Sequence, residues 1–459
     1  MIQLESTYFS NRACVLLAIA QLACAETSSV PSPAATAGHS GMQTPGTAGA
    51  EATAGAGSAG QAGTSTTSGG TGNGGSSGAG GLASGGQAGA VAGHAGMGGQ
   101  AGQAAGPYPP QHEVTELLAR VADQFLAKWP DPATLLPGSR PSHIWTRAVF
   151  YEGLLAFHEV SPRSEHLEHV LDWAEFHDWS LRSSVTNADN QCAGQIYFDL
   201  FELDTRRDPE RIAAIQQSLE TMLDEPSSRN WTWIDAIQMS MPVWASFATL
   251  TGDSRYLQKM HALYSHTKHT EGGGLYDPET HLWWRDAKWK PDQALTPSGK
   301  GVYWSRGNGW VFAALVRVLE RLPAAAAQRA EYEADFLALA EALLPLQRED
   351  GFWNSSLVDS SHFGGPELSG TALFTYGLAW GIRQGSLPEA EYGPAARRAW
   401  QGMVEIAVRQ DGFLGFVQST GDDPSDGQPL SADKQPDFED FGVGCFLLAG
   451  SELAKLAEP

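Results

Sequence analysis

The chain has 459 residues, but 25 of its 52 glycines fall between Gly38 and Gly106, and residues 27–107 hold a single formal charge, Glu51. Such a stretch buries too little apolar surface to offset its ordering entropy, which excludes a folded N-terminal domain. The remainder, 108–459, holds all 15 tryptophans and 28 Lys+Arg against 49 Asp+Glu; that acidic balance argues against a nucleic-acid partner, which needs a basic face.

In chain order, the first feature is the apolar run Ala13 to Cys24, which follows Arg12. Twelve residues are too few to span a bilayer, and the run reads as the core of a secretory signal over 1–25. Ala23-Cys24-Ala25 fits a cut after Ala25, while Gln21-Leu22-Ala23-Cys24 resembles a lipoprotein box that would place a lipid anchor on Cys24. Both outcomes stay open, as does an N-terminal extension that is never exported. Residues 26–107 read as a flexible Gly/Ala/Ser/Thr linker, so the expected location is periplasmic, on the cell surface as a lipoprotein, or extracellular, with no membrane span.

From Tyr108 onward, apolar residues recur with a period near 3.6 and almost no alternation of period two. Twelve helical runs are predicted, near 112–128, 143–159, 164–180, 187–204, 208–224, 233–250, 254–269, 308–322, 328–347, 367–384, 389–408 and 440–456. Asp208 before Pro209 and Asp253 after Gly252 are predicted helix starts. Odd-numbered runs have polar outer faces; even-numbered ones are apolar or small on nearly all sides, as a buried helix must be. Six exposed and six buried helices in alternation predict an all-α fold of 108–459, an (α/α)6 barrel of six helical hairpins. The competing fold is an open solenoid, which calls for a more regular repeat. Cys192 and Cys445, without C-x-x-C spacing, make no metal site; they are two buried thiols or a single bridge. No metal and no cofactor are expected, and the chain is expected to act as a monomer.

In such a barrel the inner helices are parallel, and their N-termini open at one mouth. The unusual residues gather near those starts. They include Trp145 and Tyr151, the Asp189-Asn190-Gln191 block, Trp233 with Asp235, and Trp304 to Trp310 with Arg306. Converging N-termini favour an anion, and aromatic faces beside acids suit a sugar cleft, so the expected ligand is an acidic oligosaccharide. Arg306 is the best single partner for its carboxylate. Asp189 and Asp235, on consecutive inner helices, would face each other across the mouth and could transfer protons. An Asp in the first turn of a helix is, however, most often a cap or a dipole partner.

These residues resemble glycoside hydrolase families 88 and 105, the unsaturated glucuronyl and rhamnogalacturonyl hydrolases. The resemblance spans most of 112–456. It rests on Ile234-Asp235-Ala236-Ile237-Gln238-Met239, on Tyr303-Trp304-Ser305-Arg306-Gly307-Asn308-Gly309-Trp310, on Glu367-Leu368-Ser369-Gly370-Thr371-Ala372, and on the terminal Phe441 to Gly450. It implies the same six-hairpin barrel and a substrate ending in a 4,5-unsaturated uronic acid, most simply a rhamnogalacturonan fragment left by a lyase. It implies Asp235 as general acid and base, and Asp189 as the group holding water or sugar hydroxyls. It further implies substrate contacts from Arg306, Gln191 and Met239, and from His281, whose loop has an unusual Trp283-Trp284-Arg285-Asp286 run. Trp145, Tyr151, Trp233, Trp304 and Trp310 would stack on rings or fill the core. His143 and His362 also lie near inner-helix starts, where they read as solvated or capped residues. An unsaturated glucuronyl hydrolase acting on another polymer, a conventional inverting glycosidase on a saturated sugar and a non-catalytic carbohydrate-binding barrel are the rival functions.

Overall fold

The computed structural model describes residues 107–135, 140–434 and 440–457. The expected signal (1–25), nearly all of the linker (26–107), and Cys14, Cys24 and Glu439 lie outside the described residues. Twelve α-helices follow in chain order, one for each periodic run: α1 (Gln111–Lys128), α2 (Trp145–Val160), α3 (Ser164–Phe176), α4 (Ala188–Leu203), α5 (Glu210–Asp224), α6 (Asp235–Thr251), α7 (Ser254–His269), α8 (Ser305–Arg321), α9 (Arg329–Leu343), α10 (Leu368–Gln384), α11 (Glu389–Gly402) and α12 (Asp440–Leu456). Strand pairing among the described residues is confined to isolated bridges.

The even helices form the inner wall. α2 packs on α4, α4 on α6, α6 on α8, α8 on α10, α10 on α12, and α12 returns to α2, so the ring closes and the fold is an (α/α)6 barrel. The odd helices lie outside it, each against an even one. Burial follows the composition: α12 buries every residue from Asp440 to Ala454, whereas α5 buries only the stripe Ile212, Ile215, Ser218, Leu219 and Met222. The closing seam depends on missing side chains. A methyl group on Gly444 would lie 2.1 Å from the Val149 carbonyl oxygen, and one on Gly153 would lie 2.3 Å from that of Gly444.

Helix ends differ from the expected limits for local reasons. α3 stops at Phe176 because Asp178 and Trp179 take left-handed φ values of 48° and 55°. α9 gives way to a 3-10 turn, Leu344–Leu346, that contains Pro345, and α11 to a π turn, Met403–Ala407. α8 begins three residues early, at Ser305, so the Arg306 to Trp310 block lies inside the helix. Asp253 accepts from the Arg255 N–H at 2.9 Å, and Asp208 from that of Glu210 at 3.1 Å. Cys192 and Cys445 are separate buried thiols. No helix among the described residues is long and apolar enough to cross a membrane.

Each hairpin reverses the chain, so the six inner helices run the same way. Their first turns are tied to one another. Thr146 and Arg147 of α2 each donate to Asp440 of α12 at 3.2 Å. Ser305 of α8 donates to Glu367 at 3.1 Å, and Glu367 in turn accepts the Ser369 and Gly370 N–H groups that open α10.

Candidate active site

Asp189 is the second residue of α4 and Asp235 the first of α6. Asp235 is 8% exposed and Asp189 is half-buried. Burial, and next the negative charge of Asp235, push the Asp189 carboxyl up to about 6, against the pull of Arg285 and Arg182. Burial also raises Asp235, by more than Arg285 and Arg306 lower it. With Asp189 lifted to about 6 and Asp235 raised as well, a carboxyl here keeps its proton to higher pH than a free aspartate does, which favours proton transfer.

Arg285 completes the pair. Its Nε donates to Asp235 Oδ2 at 3.1 Å and its Nη1 to Asp286 Oδ2 at 2.8 Å, with Asp422 Oδ2 3.8 Å away. Burial opposes its charge, yet Asp235, Asp286 and Asp422 hold this guanidinium above its ordinary value. The backbone is fixed too: the Ile234 N–H donates to the Arg285 carbonyl at 2.9 Å, beside a bridge between Trp233 and Asp286. Arg285 was visible in the sequence only as part of an odd Trp-Trp-Arg-Asp run. It lies in an irregular loop, where no periodic pattern says what it faces.

The Arg-Gly-Asn-Gly-Trp block holds that loop in place. Asn308 Oδ1 accepts from the Trp283 N–H at 2.8 Å, while its Nδ2 donates to the carbonyls of Trp283 and Trp304 at 3.0 and 2.9 Å. Gly309 gives α10 room, since a methyl there would meet Leu373 at 2.9 Å.

Arg306, expected to face a uronate carboxylate, is instead fully buried. It donates to the carbonyls of Gln418 and Ser419 at 3.0 and 2.7 Å and lies 4.4 Å from the Trp304 ring centre. With burial lowering its pKa, it acts on Asp235 only through space. Gln191 is also buried; it donates to Ser218 at 2.8 Å and Val185 O at 3.2 Å, fixing a loop. Met239 is 1% exposed and its carbonyl accepts from Gln195. Tyr151, Trp304 and Trp310 belong to the core, and Trp304 donates to Gln418 at 2.8 Å. Trp145 and Trp233 remain half-buried at the mouth, Trp145 edge-on to Trp310 at 6.2 Å. His281 sits in the turn Asp277 to Leu282 with a left-handed φ of 59° and shares a 2.6 Å hydrogen bond with Tyr276. Residue type suggested these contacts; burial and backbone hydrogen bonds claimed most of them first.

A closed ring of six hairpins with two coupled acids at its mouth defines the class, a helical-barrel glycoside hydrolase. Residues 117–457 match the model of Glycosyl Hydrolase Family 88, and the chain belongs to that family. It is similar to an unsaturated 3S-rhamnoglycuronyl hydrolase from Formosa agariphila, 31% identical over 331 residues, or 68% of this chain and 85% of that one. Among solved structures it resembles a family 88 glycosyl hydrolase from Bacteroides vulgatus, with 31% identity, a TM-score of 0.69, and coverage of 76% of this chain and 100% of the other. A protein named as a polysaccharide lyase is equally similar, with 31% identity, a TM-score of 0.68, and coverage of 75% and 97%.

Proposed function

We propose that this enzyme removes a terminal 4,5-unsaturated uronic acid from lyase-generated oligosaccharides by hydrating the enol ether. The observation that carries the reading is the juxtaposition of Asp189 and Asp235, whose carboxyls are both raised by burial and are coupled through their charges. One carboxyl must be protonated to deliver H+ to C4, and we assign that delivery to Asp235. The cation left at C5 takes water, which gives one proton back to the carboxylate; the ring C5–O bond of the hemiketal then opens to a ketone, and the hemiacetal left at C1 collapses to an aldehyde, releasing the next sugar with its hydroxyl proton. Asp189 holds the water or the sugar hydroxyls. The name of the Formosa relative favours a uronate joined to rhamnose, a linkage that the expected rhamnogalacturonan fragment also carries. Export through 1–25, with 26–107 as a tether and the barrel acting as a monomer, fits an enzyme that meets polymer fragments outside the cell.

The experiment is to mix the protein with lyase-digested pectin and other lyase-digested uronans and follow the ultraviolet absorbance of the enol. Decay with release of the neighbouring sugar supports the reading. Cleavage of a saturated uronide with anomeric inversion would favour the conventional glycosidase. The lyase-named neighbour supports a second reading, β-elimination, for which absorbance would instead appear from undigested polymer.

A further inference from the structure

Arg285 meets three carboxylates with a single charge. Its Nε reaches Asp235 and its Nη1 reaches Asp286, while the third, Asp422, stands 3.8 Å from Nη1 and also pairs with Lys288. Asp422 comes from the segment between the π turn and α12, more than 130 residues beyond Arg285. The hydration steps do not call on it, yet much of the local structure serves to bring it there.

The segment is held at its stem and within its turn. The fully buried Arg306 donates to the carbonyls of Gln418 and Ser419. The Gln418 side chain accepts from the Trp304 indole and donates to the Asp423 carbonyl at 2.9 Å, and Gln428 donates to Ser355 Oγ at 3.0 Å. Asp426 Oδ2 accepts the N–H groups of Asp422 and Asp423 at 2.7 and 3.0 Å, and Asp423 Oδ1 accepts that of Ser425 at 2.6 Å. Asp423 and Asp426 therefore serve the turn itself. The Asp422 carboxylate is the one aimed at Arg285 and Lys288.

The charges beside Asp235 consequently balance. The cations Arg285 and Lys288 form ion pairs with the anions Asp286 and Asp422, two against two. Farther out, Arg306 faces Glu367 and Asp426, and Asp189 adds a second acid. Ionising Asp235 places there a negative charge that the neighbouring pairs leave uncompensated. Without Asp422 the same group would hold two cations and one anion, and Arg285 would draw more strongly on Asp235.

We propose that Asp422 is a positioning residue: by sharing Arg285, it keeps that guanidinium from neutralising Asp235 alone, so that the Asp235 carboxyl can hold the proton it delivers. The inference rests on the assignment of Asp235 as proton donor and names the residue that keeps it competent.

The test uses the full chain and an unsaturated uronyl disaccharide, comparing wild type, Asp422→Asn and Lys288→Gln. Loss of the donor's proton sets the alkaline limb of the pH profile of kcat/KM. In Asp422→Asn that limb should move to lower pH by about 0.3–1 unit. In Lys288→Gln, which leaves Asp422 to draw more on Arg285, it should move to higher pH. Opposite displacements are not what a loosened loop would give. A limb that stays in place or rises in Asp422→Asn overturns the inference; should that variant not fold, an unmoved limb in Lys288→Gln does so. If wild type consumes no unsaturated uronide, the functional reading fails, and carbon NMR titration of the Asp235 carboxyl, identified by its loss in Asp235→Asn, still decides the role of Asp422. A lower midpoint in Asp422→Asn supports that role, and an equal midpoint overturns it.

Discussion

Among the described residues Asp189 accepts no side-chain hydrogen bond that would reward its ionisation, and burial with the Asp235 charge lifts its carboxyl to about 6. A carboxyl raised on folding contributes stability below its unfolded value, and that contribution is lost as pH rises through about 6. Asp189→Asn should therefore stabilise the fold by about 1–3 kcal/mol above that pH and by little at about pH 4. Thermal melts of both proteins across pH check this, and an equal gap at both ends contradicts it. The two acids were legible in the sequence because each falls in the first turn of a buried helix, where periodicity fixes its place. Arg285 was not, since its loop follows hydrogen bonds rather than a period. Arg306 misled because a guanidinium suits a carboxylate and a backbone carbonyl alike, and only the path of residues 418–419 shows which one it met.

The twelve helices were readable from apolar spacing and from caps such as Asp253, but their ends depend on backbone states with no residue signal, as at Asp178 and Trp179. The block most suggestive of a sugar site, Arg306 to Trp310, proves to be a helix start whose Asn308 suspends the Trp283–Asp286 loop. Asn308→Ala removes three hydrogen bonds and leaves the Trp283 N–H and carbonyl without this partner, while the Trp304 carbonyl keeps the backbone N–H of residue 308, a loss of about 2–4 kcal/mol. Arg285 would then lose its fixed approach to Asp235, so turnover should fall as well. Hydrogen exchange at the Trp283 amide is the direct readout; protection as in the wild type would refute this role.

At the scale of the whole molecule, alternation of buried and exposed helices pointed to a barrel but left an open solenoid as the rival. Closure is a contact between residues almost 300 positions apart, Gly153 and Gly444, which no local pattern encodes. Gly444→Ala would drive a methyl into the Val149 carbonyl, and a shift of the closing helices should cost about 1–3 kcal/mol or more in chemical denaturation. A variant as stable as the wild type would mean that the seam has slack. The acidic surface does not conflict with an acidic substrate, because the site itself holds a cation, Arg285, against Asp235.

The central claim is that a proton carried by the coupled acids at this mouth hydrates an enol ether. The measurement that tests it most directly is the decay of enol absorbance under Asp235→Asn beside wild type, with lyase-digested substrate and binding verified by calorimetry. The site as described predicts retained binding and turnover lower by about 100- to 10,000-fold. Decay at the wild-type rate would contradict it.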